Sequence, residues 1–113
     1  MTVKLLLERA QFRVVQADSA RAAVDRAIDE RPDILMIDLD MPEMDVPVAI
    51  HGLRRDFSQA ALPLIVLTAE RGSQIERRVR DLGADDYIVK PFEPSVLIST
   101  VSAVFRRSKA RAA

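Results

Sequence analysis

Three polar side chains stand where short apolar runs end, and their types suit the handling of an anion. Asp38 follows Ile34-Leu35-Met36-Ile37, Thr68 follows Leu64-Ile65-Val66-Leu67, and Lys90 follows Tyr87-Ile88-Val89. A carboxylate presented at the rim of a sheet can act as a nucleophile toward a phosphoryl donor. A threonine hydroxyl can donate to an oxygen of the group built on that carboxylate, and a lysine ammonium supplies a point charge for the same anion. Each residue alone has an ordinary explanation, because Asp and Thr are common turn and cap residues and a rim lysine is usually solvated. The joint reading rests on three strand ends meeting at one crevice, where they would form an anion cradle.

The elements needed to position this trio can be read from hydrophobic periodicity. Residues 12–17, 34–37 and 64–67, and more weakly 87–89, read as buried strands. Between them, residues 20–29 place Ala23, Val24, Ala27 and Ile28 on one helical face, 48–55 form a second amphipathic stretch, and 74–82 align Ile75, Val79 and Leu82. Ser19 is placed to cap the first of these helices, Pro47 to stand in the first turn of the next, Gly83 to stop the third and Pro94 to open a last one. Strands that alternate with helices and are apolar along their whole length predict an α/β fold with a parallel sheet covered on both faces. Ligands of such sheets bind beyond the carboxyl ends of the strands, where Asp38, Thr68 and Lys90 lie.

The bulk numbers agree with one packed domain. The chain has 113 residues, 49% of them hydrophobic and 30% charged, with only three glycines, which is unlike a disordered or fibrous composition. Seventeen basic residues balance seventeen acidic ones, so a direct nucleic-acid or membrane partner is not expected and a protein or small-molecule partner is. The absence of cysteine removes disulfides, thiolate metal sites and a cysteine nucleophile, and suits a reducing cytoplasm. No apolar run approaches the roughly 20 residues that span a bilayer, and no signal-peptide pattern opens the chain, so it reads as unexported and cytoplasmic.

Several linked motifs resemble the receiver domains of bacterial response regulators, the CheY-like fold with strand order 2-1-3-4-5. Asp38-Leu39-Asp40-Met41-Pro42-Glu43-Met44-Asp45 is similar to the family's phosphoacceptor loop, and Leu67-Thr68-Ala69 to its switch-threonine motif. Gly83-Ala84-Asp85-Asp86-Tyr87-Ile88-Val89-Lys90-Pro91-Phe92 resembles its last strand and lysine-proline turn. Thr68 and Lys90 lie 30 and 52 residues after Asp38, intervals that also fit the family. The resemblance covers nearly the whole chain and implies one receiver domain over residues 1–113. The basic stretch 106–113 reads as a solvated helix end, with a linker stub as its alternative.

The resemblance implies that Asp38 accepts a phosphoryl group from a sensor histidine kinase or phosphotransfer protein, that Thr68 and Lys90 contact it, and that Tyr87 turns inward when Thr68 moves. It further implies a cis bond between Lys90 and Pro91. Output toward a downstream protein target would pass through the helix at 74–82, the strand at 87–89 and the helix after Pro94. The module would be a switch between two packings and not an enzyme. Haloacid-dehalogenase-type hydrolases also use an Asp-x-Asp pair, a threonine and a lysine, but they place the lysine before their last acidic motif, whereas Asp85-Asp86 precedes Lys90 here.

Two departures from the family pattern carry consequences. The family's first strand and its acidic pair, which hold Mg2+ together with the phosphoacceptor, have no counterpart, since residues 1–10 match the end of the family's first helix. The chain is in this sense N-terminally shortened, and a magnesium site left with Asp38 and the Asp40 backbone carbonyl is expected to bind weakly or not at all. The vacant strand would be central, so its place is expected to be filled by residues 2–7 as an antiparallel hairpin, by a second copy in a homodimer, or by residues upstream of Met1, the homodimer being preferred. Val46 stands where the family usually has glycine, so a turn that needs positive φ would be rearranged beside Asp38. The alternative function is therefore a degenerate receiver that binds proteins without being phosphorylated. His51, the only histidine, sits on an expected helix without a supporting motif.

Overall fold

The computed structural model describes residues 2–41, 45–58 and 61–112. In chain order the elements are α1 (Val3–Arg9), α2 (Ala20–Glu30), β1 (Leu35–Asp38), α3 (Val46–Asp56), β2 (Leu64–Thr68), α4 (Ser73–Leu82), β3 (Asp86–Val89) and α5 (Pro94–Ala112). Helix starts follow local capping chemistry. The Thr2 hydroxyl accepts from the Leu5 N–H, Ser19 from Ala22 and Asp45 from Val48, each satisfying a backbone donor that the first turn leaves without a partner. Pro47 occupies the first turn of α3, and Gly83 closes α4 with φ at 73°.

The three strands pair in parallel in the order β1-β2-β3. β2 is the middle strand, and all five of its residues are buried. Its side chains alternate between two packed layers. Ile65 and Leu67 join Ile88 of β3 against Leu7 of α1 and Leu97, Val101 and Val104 of α5. Leu64 and Val66 join Ile37 of β1 against Val46 of α3 and Ile75 and Val79 of α4. A smaller cluster of Ala27, Leu53, Phe57 and Leu62 fixes α2 to α3. The result is the expected α/β sandwich, helices on both faces of a parallel sheet, because strands apolar on both sides need cover on both sides.

One expected strand is absent. Residues 12–17 form no ladder, and the sheet of the described residues has three strands. The segment is apolar because Phe12 and Val14 pack against the α1–α5 layer, with the Phe12 ring edge-on to Phe105 at 6.2 Å between centroids. Apolar side chains satisfy burial in either geometry, but a strand also needs a neighbour to exchange backbone hydrogen bonds with, and among the described residues β1 pairs only with β2. Filling of the vacant place by residues 2–7 is likewise overturned: Thr2 caps α1, and residues 3–9 are helical. Helix-spaced Val3, Leu6 and Leu7 face the α5 layer instead.

Val46 takes up no positive-φ turn. It is the first residue of α3 and buried, and among the described residues the only non-glycine positive φ angles are at Gln11 and Arg31. Pro42, Glu43 and Met44 of the quoted motif lie outside the described residues, as does Met1. Residues 106–112 of the basic stretch continue α5, where Lys109 bonds Asp33 at 2.8 Å and stands 5.3 Å over the Phe105 ring. Among the described residues no helix is long and apolar enough to cross a membrane.

Candidate functional site

Parallel pairing puts the carboxyl ends of the three strands side by side. Asp38 pairs with Leu67 and Thr68 with Val89, and two further backbone bonds carry the alignment past the strand ends: Leu39 N–H to the Leu67 carbonyl at 2.8 Å and Lys90 N–H to the Thr68 carbonyl at 2.8 Å. Asp38, Thr68 and Lys90, separated by 30 and 52 residues in sequence, therefore meet at one rim.

The side chains form a compact ionic cluster. The Lys90 Nζ donates to both Asp38 carboxylate oxygens at 2.9 Å and stands 3.1 Å from Asp40 Oδ2. Asp38 Oδ1 also accepts the Asp40 N–H at 2.9 Å, an Asx-type turn that orients the phosphoacceptor candidate. The Asp40 carboxylate reaches across to β2, where Oδ2 accepts the Ala69 N–H at 2.9 Å and Oδ1 accepts the Thr68 hydroxyl at 3.3 Å. Thr68 is fully buried, and its Oγ1 in turn accepts the Glu70 N–H at 3.1 Å. Glu70 continues the chain of contacts outward through an ion pair with Arg78 of α4. Beside Lys90 an open recess is lined by Leu6, Ala69, Pro91, Phe92 and Pro94, and the Lys90–Pro91 bond is cis.

These contacts shift two titrations in opposite directions. Hydrogen bonding to Asp38, reinforced by Asp40, holds Lys90 above its ordinary value of 10.5 despite the opposing cost of burial. Hydrogen bonds from Lys90 and then from the Ala69 N–H hold Asp40 below its ordinary value of 3.8. A raised lysine stabilises the fold below its unfolded pKa and loses that contribution as pH rises through the folded one; a depressed carboxylate contributes above its unfolded pKa and loses it as pH falls through the folded one. The difference in melting temperature between the wild type and Lys90→Met is therefore expected to stay flat across neutral pH. It should change only below pH 3.8 and above pH 10.5, which a calorimetric pH series would check.

The other sequence-derived site residues are placed as follows. Tyr87 is half-buried on the α3–α4 side, next to the cluster of Ile75 and Val79. Its register partner is Val66, two residues before Thr68, so Tyr87 and Thr68 share a face of the sheet. His51 is exposed on α3. Asp85 and Asp86 serve the sheet's opposite end: Asp85 Oδ2 accepts the Leu64 N–H at 2.8 Å, and Asp86 Oδ1 accepts the N–H of Tyr87 at 2.8 Å. Sequence reading missed two participants, the Ala69 N–H and the Asp40 carboxylate. Asp40 was expected to contribute its backbone carbonyl, and Ala69 carries no side-chain signal because its contribution is a backbone group. An acidic residue two positions after a strand-terminal aspartate is the one pattern that points to the Asp40 carboxylate.

Magnesium, which the resemblance implies, prefers octahedral oxygen coordination. Among the described residues no three His, Cys, Asp or Glu side chains are grouped to hold a metal ion. The two carboxylates at the rim already converge on an ammonium, Lys90. The donor set described here does not fit a magnesium ion, and no step below is routed through one.

Comparison with known proteins agrees with this architecture. The family described as "Response regulator receiver domain" matches residues 1–102. The chain is 36% identical over 108 residues to the DNA-binding dual master transcriptional regulator RpaA of Synechocystis, covering 94% of this chain and 44% of that protein. It is 38% identical over 107 residues to the phosphate regulon transcriptional regulatory protein PhoB of Escherichia coli, covering 93% of this chain and 46% of that one. The chain thus spans about half the length of the curated relatives it matches. Among solved structures, a putative response regulator from Chloroflexus aurantiacus superposes with a TM-score of 0.80 at 29% identity, covering 92% of this chain and 85% of that one. Chemotaxis protein CheY4 of Vibrio cholerae gives 0.77 at 28% identity, covering 90% and 85%. Family match, relatives and fold together place the chain in the response regulator receiver domain family of two-component systems.

Proposed function

We propose that the chain accepts a phosphoryl group on Asp38 and passes the signal on by binding another protein. The observation that carries this reading is the chelation of both Asp38 oxygens by Lys90 at 2.9 Å, with the Thr68 hydroxyl and Ala69 N–H aimed at the same rim. Receiver domains act with histidine kinases and downstream effectors as signalling modules. For this chain the donor would be the phosphorylated histidine of a sensor kinase or phosphotransfer protein. An Asp38 oxygen attacks phosphorus, the P–N bond breaks, and the departing imidazole nitrogen keeps the electron pair and takes up a proton. The product is a mixed anhydride on Asp38, and Lys90 neutralises part of the charge that builds on the transferring oxygens.

The output would follow from the buried position of Thr68. A new anion on Asp38 competes for the Thr68 hydroxyl, and Tyr87, which packs on the same face of the sheet against the cluster of Ile75 and Val79, changes its packing there. Two packings of α4, β3 and α5 then differ in population, and a target protein reads the difference. The unpaired edge of β1 also suits a second copy of the chain, since edge strands present free backbone donors and acceptors. Light scattering is expected to find a dimer.

The degenerate alternative has one observation in its favour: the unmodified cluster is already satisfied internally, with a donor set that does not fit magnesium. Intact mass after incubation with acetyl phosphate and magnesium separates the two. A phosphoryl adduct on the wild type and none on Asp38→Asn is expected. A folded wild type that stays unmodified with both acetyl phosphate and a phosphorylated kinase would leave the interaction module as the function.

A further inference from the structure

Resting on that reading, we propose that the Asp40 carboxylate is a built-in anion that occupies the cradle of the unmodified chain and must leave before a phosphoryl group can take its place. Three donors converge on it: Ala69 N–H at 2.9 Å, the Thr68 hydroxyl at 3.3 Å and the Lys90 ammonium at 3.1 Å, and among the described residues it is the one carboxylate bonded to the first two, whereas Lys90 is shared with Asp38. A main-chain N–H, a hydroxyl and an ammonium aimed at one point form an anion site by their chemistry, whatever fills it. Those are also the groups that a phosphoryl group on Asp38 would need. Among the described residues the Asp38 side chain engages only Lys90 and the Asp40 N–H.

The chain delivers this carboxylate by local geometry. Asp38 Oδ1 holds the Asp40 N–H at 2.9 Å, which fixes the turn after β1 and aims the Asp40 side chain at the end of β2. Departure is simple, since Asp40 is exposed and can turn outward into solvent without moving the core. Charge adds to occupancy. Among the described residues Lys90 is the one cation paired with Asp38 and Asp40, so this trio carries one net negative charge, and an incoming phosphate meets repulsion as well as filled donors. Removing the Asp40 carboxylate frees the Ala69 N–H and the Thr68 hydroxyl and leaves Lys90 balanced against Asp38 alone. Asp40 is therefore a gating residue that sets how readily the site takes an anion, and it keeps Thr68 engaged while Asp38 is unmodified.

The test is titration of wild type, Asp40→Ala and Asp40→Asn with inorganic phosphate, followed by the amide resonances of Ala69 and Glu70. Binding of free phosphate needs no reaction at Asp38, so the result is independent of phosphoryl transfer. Asp40→Ala is expected to bind phosphate about tenfold or more tightly than wild type, the scale of one like-charge contact in a partly solvated site. Asp40→Asn, isosteric but uncharged, should fall between them and covers the case in which the alanine variant fails to fold. Equal affinity in wild type and Asp40→Asn, or an Ala69 amide that does not shift when Asp40 is replaced, would overturn the inference. In parallel, acetyl phosphate labelling of the same variants separates the two readings. Tighter phosphate binding without any adduct on Asp38 would keep the gate and discard phosphorylation; an adduct that forms at one rate in all three, with equal phosphate affinity, would do the reverse.

Discussion

Replacing Lys90 with methionine is expected to slow labelling of Asp38 by acetyl phosphate by about 10²- to 10³-fold, the usual scale for removing one donor that stabilises charge developing in a transition state. The ammonium bridges both Asp38 oxygens at 2.9 Å and lies 3.1 Å from Asp40, so its loss leaves two neighbouring carboxylates with no cation between them. The fold should survive the change. The Lys90 and Asp38 side chains retain 30% and 29% of their exposure, and a partly exposed ion pair is worth under about 1 kcal/mol. The paired measurement is the rate of adduct formation by intact mass and the melting temperature of the same sample. A rate unchanged within threefold would show that Lys90 takes no part in the chemistry and would confine it to holding Asp38 in place. Methionine keeps the apolar stem against the recess of Pro91 and Phe92, so a lost rate reports charge and not lost packing.

Leu97→Ala is expected to destabilise the domain by about 2–5 kcal/mol, a large share of the roughly 5–15 kcal/mol that holds such a domain together. Leu97 is fully buried on α5, where it packs with Ile65 and Leu67 of β2, Ile88 of β3 and Leu7 of α1. Each neighbour is fixed by other contacts, so the vacated volume would remain largely as a cavity. At about 4 °C per kcal/mol for a domain near this size, melting should fall by about 8–20 °C in a thermal scan followed by circular dichroism. The exposed Val96, one residue earlier, serves as a control: Val96→Ala should move melting by no more than about 2 °C, since surface changes typically stay within about 0.5 kcal/mol. A small shift at Leu97 would mean that α5 contributes little to the core.

Much of the fold is legible in the order of the residues because the relevant physics is local. Whole-strand apolarity at 64–67 marks a strand buried on both faces, and β2 is the fully buried middle strand. Ser19, Pro47, Gly83 and Pro94 punctuate helices because caps, fixed φ and left-handed stops are set by neighbours within one turn. The trio Asp38, Thr68 and Lys90 is legible for a related reason. Once strands are parallel, their carboxyl ends lie on one side of the sheet, so chemistry-bearing residues at those ends must meet.

What stayed hidden depends on partners distant in sequence. The apolarity of residues 12–17 reports burial, and burial alone does not choose between a ladder and an irregular packed segment; without a strand hydrogen-bonded to it, the segment presses Phe12 and Val14 onto the α5 layer. Helical spacing in residues 3–9 left open whether the segment would be recruited to the sheet, and Thr2 capping with burial of Leu7 decided for the helix. At the site, sequence named Asp40 as a neighbour of Asp38 but could not aim its side chain. Only the register of β1 on β2 brings that carboxylate within reach of the Thr68 hydroxyl and the Ala69 N–H, because a hydrogen bond is set by distance in space and not by separation along the chain.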